Sequence, residues 1–267
     1  MKVLISADIE GTALTTHWEE CYPQTKPASS SAAGLQMTRE VAAACEGAIA
    51  AGATEIVVKD AHSKGTNLDP NLLPACARIV RGNSGSPWSM VFGVDKSFDA
   101  AMFVGYHSAA GRGGNPLSHT ETTDTVWVKL NGVKCSEFRL YSWACASIGV
   151  PTVFLSGDQM LLDDSREIHP LLRTVAVKEG FGGATVCLQP QEACRRIRRE
   201  AEQALRQDLT KALCTLPEAF TLEVCYKEVR QAAKLAFFPG FTQVDDNTIR
   251  MHTRDYWEVL RAAMFVL

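Results

Sequence analysis

Val3-Leu4-Ile5-Ser6-Ala7-Asp8-Ile9-Glu10-Gly11-Thr12 opens the chain with an apolar, β-branched run that stops at two carboxylates and a glycine. The run has the length and composition of a buried strand. Side chains two apart on an extended segment point the same way. Asp8 and Glu10 therefore present two negative charges at one spot, where the strand reaches the surface. Like charges held together are costly unless something positive neutralises them, and a divalent metal ion is the natural counter-charge.

Further apolar runs follow the first. Strands are expected at residues 2–7, 55–60, 78–81, 100–106, 152–156 and 174–178, with helices over 32–51 and 137–148. Ser29-Ser30-Ser31 precedes and caps the first long helix. Residues 125–130 alternate as a half-exposed strand, and Asn131-Gly132 signals a hairpin. Fully apolar strands separated by helices define an α/β fold, with an open, mostly parallel sheet flanked by helices. The pattern changes after Pro190. A long helix over 191–213 precedes strands at 222–226 and 248–252, with helices at 228–235 and 255–266. The expected division is an α/β catalytic domain over residues 1–190 and a smaller C-terminal α+β lobe over 191–267.

Ligands bind at the carboxyl ends of strands in open α/β sheets. Those ends read Asp8-Ile9-Glu10, Asp60-Ala61-His62-Ser63 and Gly105-Tyr106-His107, followed by Ser118-His119 and by Glu137 at a helix start. Three of the six histidines lie at or just beyond strand ends. Imidazole and carboxylate are zinc ligands, and two ions about 3.5–4 Å apart can share a carboxylate and a hydroxide. Asp8 is placed to bridge, and Asp60 to orient His62 from behind. His17, His169 and His252 read as loop, turn and structural residues.

The 267 residues are 46% hydrophobic and 21% charged, with a net charge of -3, so no basic footprint for nucleic acid exists. No apolar stretch reaches membrane-helix length, and the first run is too short for a signal peptide. The nine cysteines form no C-x-x-C pair. They read as reduced thiols of a cytoplasmic protein. No dinucleotide-binding, Walker, HExxH or GxSxG motif is present. Residues 82–87 (Gly-Asn-Ser-Gly-Ser-Pro) read first as a surface loop and second as a pocket lining.

Taken in order, these segments resemble the D-aminopeptidase family of dizinc metallopeptidases. The matching text is Ser6-Ala7-Asp8-Ile9-Glu10-Gly11, Asp60-Ala61-His62-Ser63-Lys64, Val104-Gly105-Tyr106-His107, Ser118-His119 and Val133-Lys134-Cys135-Ser136-Glu137. It continues with Val153-Phe154-Leu155-Ser156-Gly157-Asp158 and Ala176-Val177-Lys178. The resemblance implies Asp8, Glu10, His62, His107 and Glu137 as metal ligands for two zinc ions per subunit, with His119 as the catalytic histidine. Manganese or cobalt can replace zinc in such a site. It also implies a homo-oligomer, a decamer of two stacked pentameric rings, and hydrolysis of N-terminal D-residues from short peptides through a metal-bridging hydroxide. The text departs from the family's at residue 59, in the loop 109–117, after Lys178 and across residues 17–31. These segments are expected to face the substrate. Two other readings of the same residues are a dimetal phosphoesterase and a non-catalytic metal-containing small-molecule-binding α/β protein.

Overall fold

The computed structural model describes residues 1–22, 27–166, 168, 169 and 171–267. Its strands are β1 (Lys2–Ala7), β2 (Glu55–Asp60), β3 (Ala77–Val80), β4 (Ala100–Tyr106), β5 (Thr125–Leu130), β6 (Val133–Lys134), β7 (Thr152–Asp158), β8 (Arg173–Phe181), β9 (Ala184–Cys187), β10 (Phe220–Tyr226), β11 (Phe241–Gln243) and β12 (Thr248–Thr253). Its helices are α1 (Trp18–Cys21), α2 (Ala32–Ala50), α3 (Glu137–Ser147), α4 (Gln159–Arg166), α5 (Pro190–Leu205), α6 (Val229–Leu235) and α7 (Tyr256–Val266).

Seven strands form a sheet in the order β3-β2-β1-β4-β7-β8-β9, parallel throughout except for β9 at one edge. Alternation along β1 sorts its side chains. Val3, Ile5 and Ala7 enter the core beneath α2 and α5, while Leu4 enters the core on the other face. The strands are apolar throughout because both faces are covered. Ser31 Oγ accepts from Gly34 N and caps α2 at 3.0 Å.

A second, antiparallel sheet has the order β11-β12-β10-β5-β6. The β5–β6 turn is Asn131-Gly132, with φ of 53° and 79°, the left-handed pair that a two-residue hairpin demands. Phe138 and Tyr141 of α3 share a core with Leu222, Val224, Ile249 and, from α7, Tyr256 and Leu260.

The division at residue 190 does not coincide with the way the sheets share the chain. Helix α5 lies beyond it but packs against α2 and β8 of the large sheet, whereas β5 and β6 lie before it and pair into the second sheet. Long-range strand pairing and an apolar helix face decide this, and neither is local. The helix expected to run to Leu213 ends at Leu205. Asp208 Oδ1 then accepts from Thr210 N and starts a separate short turn, the competition by which aspartate breaks helices.

Candidate metal centre

The end of β1 is stitched directly to β4. Asp8 N donates to Val104 O at 2.9 Å and Gly11 N to Gly105 O at 2.8 Å. Only glycine fits on both sides of this seam. A Cβ on Gly11 would come 1.8 Å from Tyr106 O, and one on Gly105 would come 2.3 Å from Asp8 O. Gly105 also has a φ of +75°, which an L side chain rarely tolerates. The Glu10 carbonyl is held from behind by Asn115 Nδ2 at 2.9 Å and by Lys178 Nζ, which also donates to Thr15 O.

Asp8 stands between two sets of groups. Its Oδ1 lies 3.5 Å from His62 Nδ1, which is itself 3.0 Å from Glu10 Oε1. Its Oδ2 lies 3.4 Å from His107 Nε2, which is 3.2 Å from Glu137 Oε2. All five residues are buried. His107 Nδ1 donates to Ser108 O at 2.9 Å, so its Nε2 turns a lone pair towards the carboxylates. Ser108 in turn is fixed by Asp158, which accepts from its N–H and its hydroxyl. His119 stacks on His107, with ring centroids 4.3 Å apart and planes 9° apart. Its Nδ1 donates to Leu117 O, and its Nε2 sits 3.5 Å from Glu137 Oε1.

The donor set fits divalent cations. Asp8 Oδ2, both Glu10 oxygens, His62 Nε2 and His107 Nε2 are buried without a hydrogen-bond partner among the described residues. Native proteins seldom leave such groups unsatisfied. Burial, and then Glu10, push the Asp8 carboxyl well above its ordinary range. Burial works against charge on Glu10 too, but His62 outweighs it and holds that carboxyl well below the usual range. Burial likewise opposes charge on His107, yet Glu137 and Asp8 raise it to about 10. The protein alone draws a positive charge into this space. The ligand atoms of Asp8, Glu10 and His62 form one group within 4.8 Å, and those of His107, His119 and Glu137 form another.

Six of the expected residues thus converge: Asp8, Glu10, His62, His107, Glu137 and His119. Asp60 does not touch the His62 ring. Its carboxylate is taken up by Asn67 N, Asn67 Nδ2 and Leu68 N at 2.6–2.9 Å. Asn67 Nδ2 also donates to His62 O, so Asp60 shapes the loop carrying His62 and leaves its imidazole alone. The chain leaves β2 at Asp60, and the strand alternation that put Asp60 and His62 on one side no longer holds. Roles for Asn115, Asp158 and Lys178 had no signal in spacing, since each acts across more than 40 residues of chain.

Of the four segments expected to face the substrate, residues 17–22 lie against the cluster. The Trp18 ring meets His119 edge-on at 5.2 Å, and the Tyr22 ring lies 5.1 Å from His62. Residues 23–26 lie outside the described residues. Loop 109–117 contributes Asn115, and Gly180 N donates to Gly114 O from the β8–β9 hairpin. The other histidines stay apart: His17 begins α1, His169 bonds Ser142 Oγ, and His252 bonds Thr221 Oγ1.

A parallel sheet whose strand ends gather two His/carboxylate sets around Asp8 has the form of a metallohydrolase. The chain belongs to the D-aminopeptidase family of peptidases, whose model matches residues 1–265. It is 28% identical over 267 residues to the D-aminopeptidase of Bacillus subtilis (strain 168), covering 99% of this chain and 96% of that relative. The fold matches the Zn-dependent D-aminopeptidase DppA from Bacillus subtilis, a self-compartmentalizing protease. The TM-score is 0.90 at 26% identity, over 100% of this chain and 96% of that one. A shorter stretch of 89 residues, 33% of this chain and 43% of the relative, is 32% identical to a putative 3-methyladenine DNA glycosylase of Salinibacter ruber.

Proposed function

We propose that this chain is a zinc-dependent aminopeptidase that removes N-terminal residues, D-residues among them, from short peptides. The observation that carries the reading is Asp8, whose two oxygens face two different His/Glu sets in a member of the D-aminopeptidase family. Asp8, Glu10 and His62 would hold one ion, and Asp8, His107 and Glu137 the other. Zinc bound there supplies a Lewis acid and an acidified water at neutral pH.

The chain's own groups do the rest. His119 carries its fixed proton on Nδ1, tied to Leu117 O. Its Nε2 is free to take a proton from the attacking water and return it to the leaving amine. Its side chain keeps 12% exposure beside Glu137 at 4%, so it can reach a substrate. Stacking on His107 holds the ring plane. Glu121 N, donating to Glu137 Oε1 at 2.6 Å, aims that carboxylate. Trp18 and Tyr22 shield the cluster from bulk water. The family match favours neither the phosphoesterase nor the non-catalytic reading.

Elemental analysis of protein purified without added metal is expected to give two zinc ions per chain, together with hydrolysis of D- or L-aminoacyl nitroanilides. Full activity in a metal-free sample overturns the reading. H119A is expected to keep both ions while losing roughly 10³-fold in kcat. The same reading extends to assembly into a decamer of two stacked pentameric rings in the cytoplasm. Nine unpaired cysteines suit a reducing compartment, and the relative above is a self-compartmentalizing protease. A monomeric mass by light scattering would refute the assembly.

A further inference from the structure

Beside the metal cluster stands a carboxylate that the proposed chemistry leaves unused. Glu121 follows His119 by two residues, and its N–H is bonded to Glu137 Oε1. Its side chain points elsewhere: Oε1 accepts from the Tyr141 hydroxyl, and no donor among the described residues reaches Oε2. Glu121 has a φ of +60°. That left-handed conformation costs a non-glycine residue about 1 kcal/mol.

Glu121 and Tyr141 form one wall of a cavity of about 150 Å3, completed by Asn83, Ser84, Ser86, Ser89 and, on the apolar side, Met264. The stretch 82–87 thus lines a cavity that is joined to the cluster through Glu121, whose N–H donates to Glu137 Oε1. It is firmly anchored. Gly82 N donates to Gly65 O at 2.8 Å, Asn83 Nδ2 to Ser63 O at 2.8 Å, and the buried Lys59 Nζ to Gly82 O at 2.9 Å. Among the described residues, no lysine or arginine lines the cavity and no salt bridge involves Glu121.

A carboxylate with one open oxygen, ringed by hydroxyls and an amide, is a receptor for an N–H-rich cation. Met264 offers an apolar surface for the stem of such a group. Tyr141 lies four residues from Glu137 on the same face of α3, about 6 Å along the axis, a separation that a lysine-length stem spans. We propose that this cavity is the subsite for a basic side chain on the substrate's N-terminal residue, with Glu121 as its anchor. The proposal rests on the aminopeptidase reading and adds a substrate class to it.

Lysyl and norleucyl nitroanilides of both chiralities differ in the terminal charge, not in stem length. Zinc-loaded wild type is expected to favour lysyl over norleucyl about ten-fold in kcat/KM. E121Q should bring that ratio close to one, mainly through KM, and Y141F should give an intermediate ratio. An unchanged ratio in E121Q overturns the proposal. Equal losses on lysyl and norleucyl substrates also overturn it, because they place Glu121 at the α-ammonium common to both. Calorimetry with free lysine and free norleucine gives a readout without turnover. Tighter binding of lysine to wild type but not to E121Q supports the subsite, and equal binding to wild type overturns it. A lysine preference in a protein that hydrolyses no amide would count against the aminopeptidase reading alone.

Discussion

The two sheets handle charge in opposite ways. At the carboxyl edge of the parallel sheet, Asp8, Glu10, His62 and His107 are buried, with polar atoms left unpartnered. In the antiparallel sheet, the inward side chains Leu222, Val224, Ile249 and Met251 are apolar. Its charges pair across strands instead: Glu223 sits opposite Arg250 and accepts from it at 2.7–2.9 Å, with the arginine side chain 40% exposed. Tyr226 and Tyr256, both buried, find carbonyl partners at Val266 and Leu140. The second sheet satisfies its buried tyrosine hydroxyls and its charged pair with protein groups, and among its strands only the Thr125 hydroxyl is buried without a partner among the described residues. The first gathers unpartnered carboxylate and imidazole atoms at one point, where the proposed cations would meet them.

The largest effect should come from breaking the contrast at its centre. D8N removes the one carboxylate shared by both sets. Zinc content should fall from two ions per chain to below one, and aminopeptidase turnover by at least about 10³-fold. The metal-free variant should melt above metal-free wild type, because one of two facing carboxylates is gone, whereas added zinc should no longer raise its Tm. Retention of two ions by D8N would contradict the bridging role.

A smaller effect is expected at Glu40, on helix α2, which packs on the same sheet. Its Oε1 accepts from Ala13 N and Gln36 Nε2 at 2.8 and 2.9 Å, while Oε2 has no partner among the described residues. Burial raises its pKa to about 7. A carboxyl raised in the folded state contributes stability that is full below its unfolded value and lost as pH rises through about 7. Relative to E40Q, wild type should lose about 3 kcal/mol between pH 4 and pH 8. Urea melts of both proteins across that range measure the difference. Parallel pH profiles would show that folding does not raise the Glu40 pKa.

The smallest effect belongs to the antiparallel sheet. Breaking its surface pair with R250A should cost less than about 1 kcal/mol and leave zinc content untouched. A double-mutant cycle with E223Q isolates the pair. A coupling above about 2 kcal/mol would mean that this sheet, too, relies on a charge it cannot easily lose.

Much of this was readable in the chain itself. The runs ending at Ala7, Asp60 and Tyr106 are strands by composition, and a parallel sheet gathers its strand ends at one edge. That rule alone brought Asp8, Glu10, His62 and His107 together. It could not place Glu137 and His119 as closely, since they sit on a helix start and a loop. It misassigned Asp60, because the alternation it relied on stops where β2 ends. Helix α4 and strands β9 and β11 were missed, being only eight, four and three residues long. Strand β5 pairs with β10 across some ninety residues, and nothing local announces such a partner.

Periodicity and residue type, which are local properties, determined the α/β class, the acidic pair after β1 and the carboxylates and histidines gathered at the strand ends. Tertiary structure alone decided that Asp8 lies between two sets of ligands, that Asn115 and Lys178 hold the Glu10 backbone, and that a glycine–serine loop meets Glu121 in a cavity. Those contacts join segments far apart in the chain. Burial, hydrogen-bond satisfaction and close backbone approach select them, and these exist only once the chain is folded.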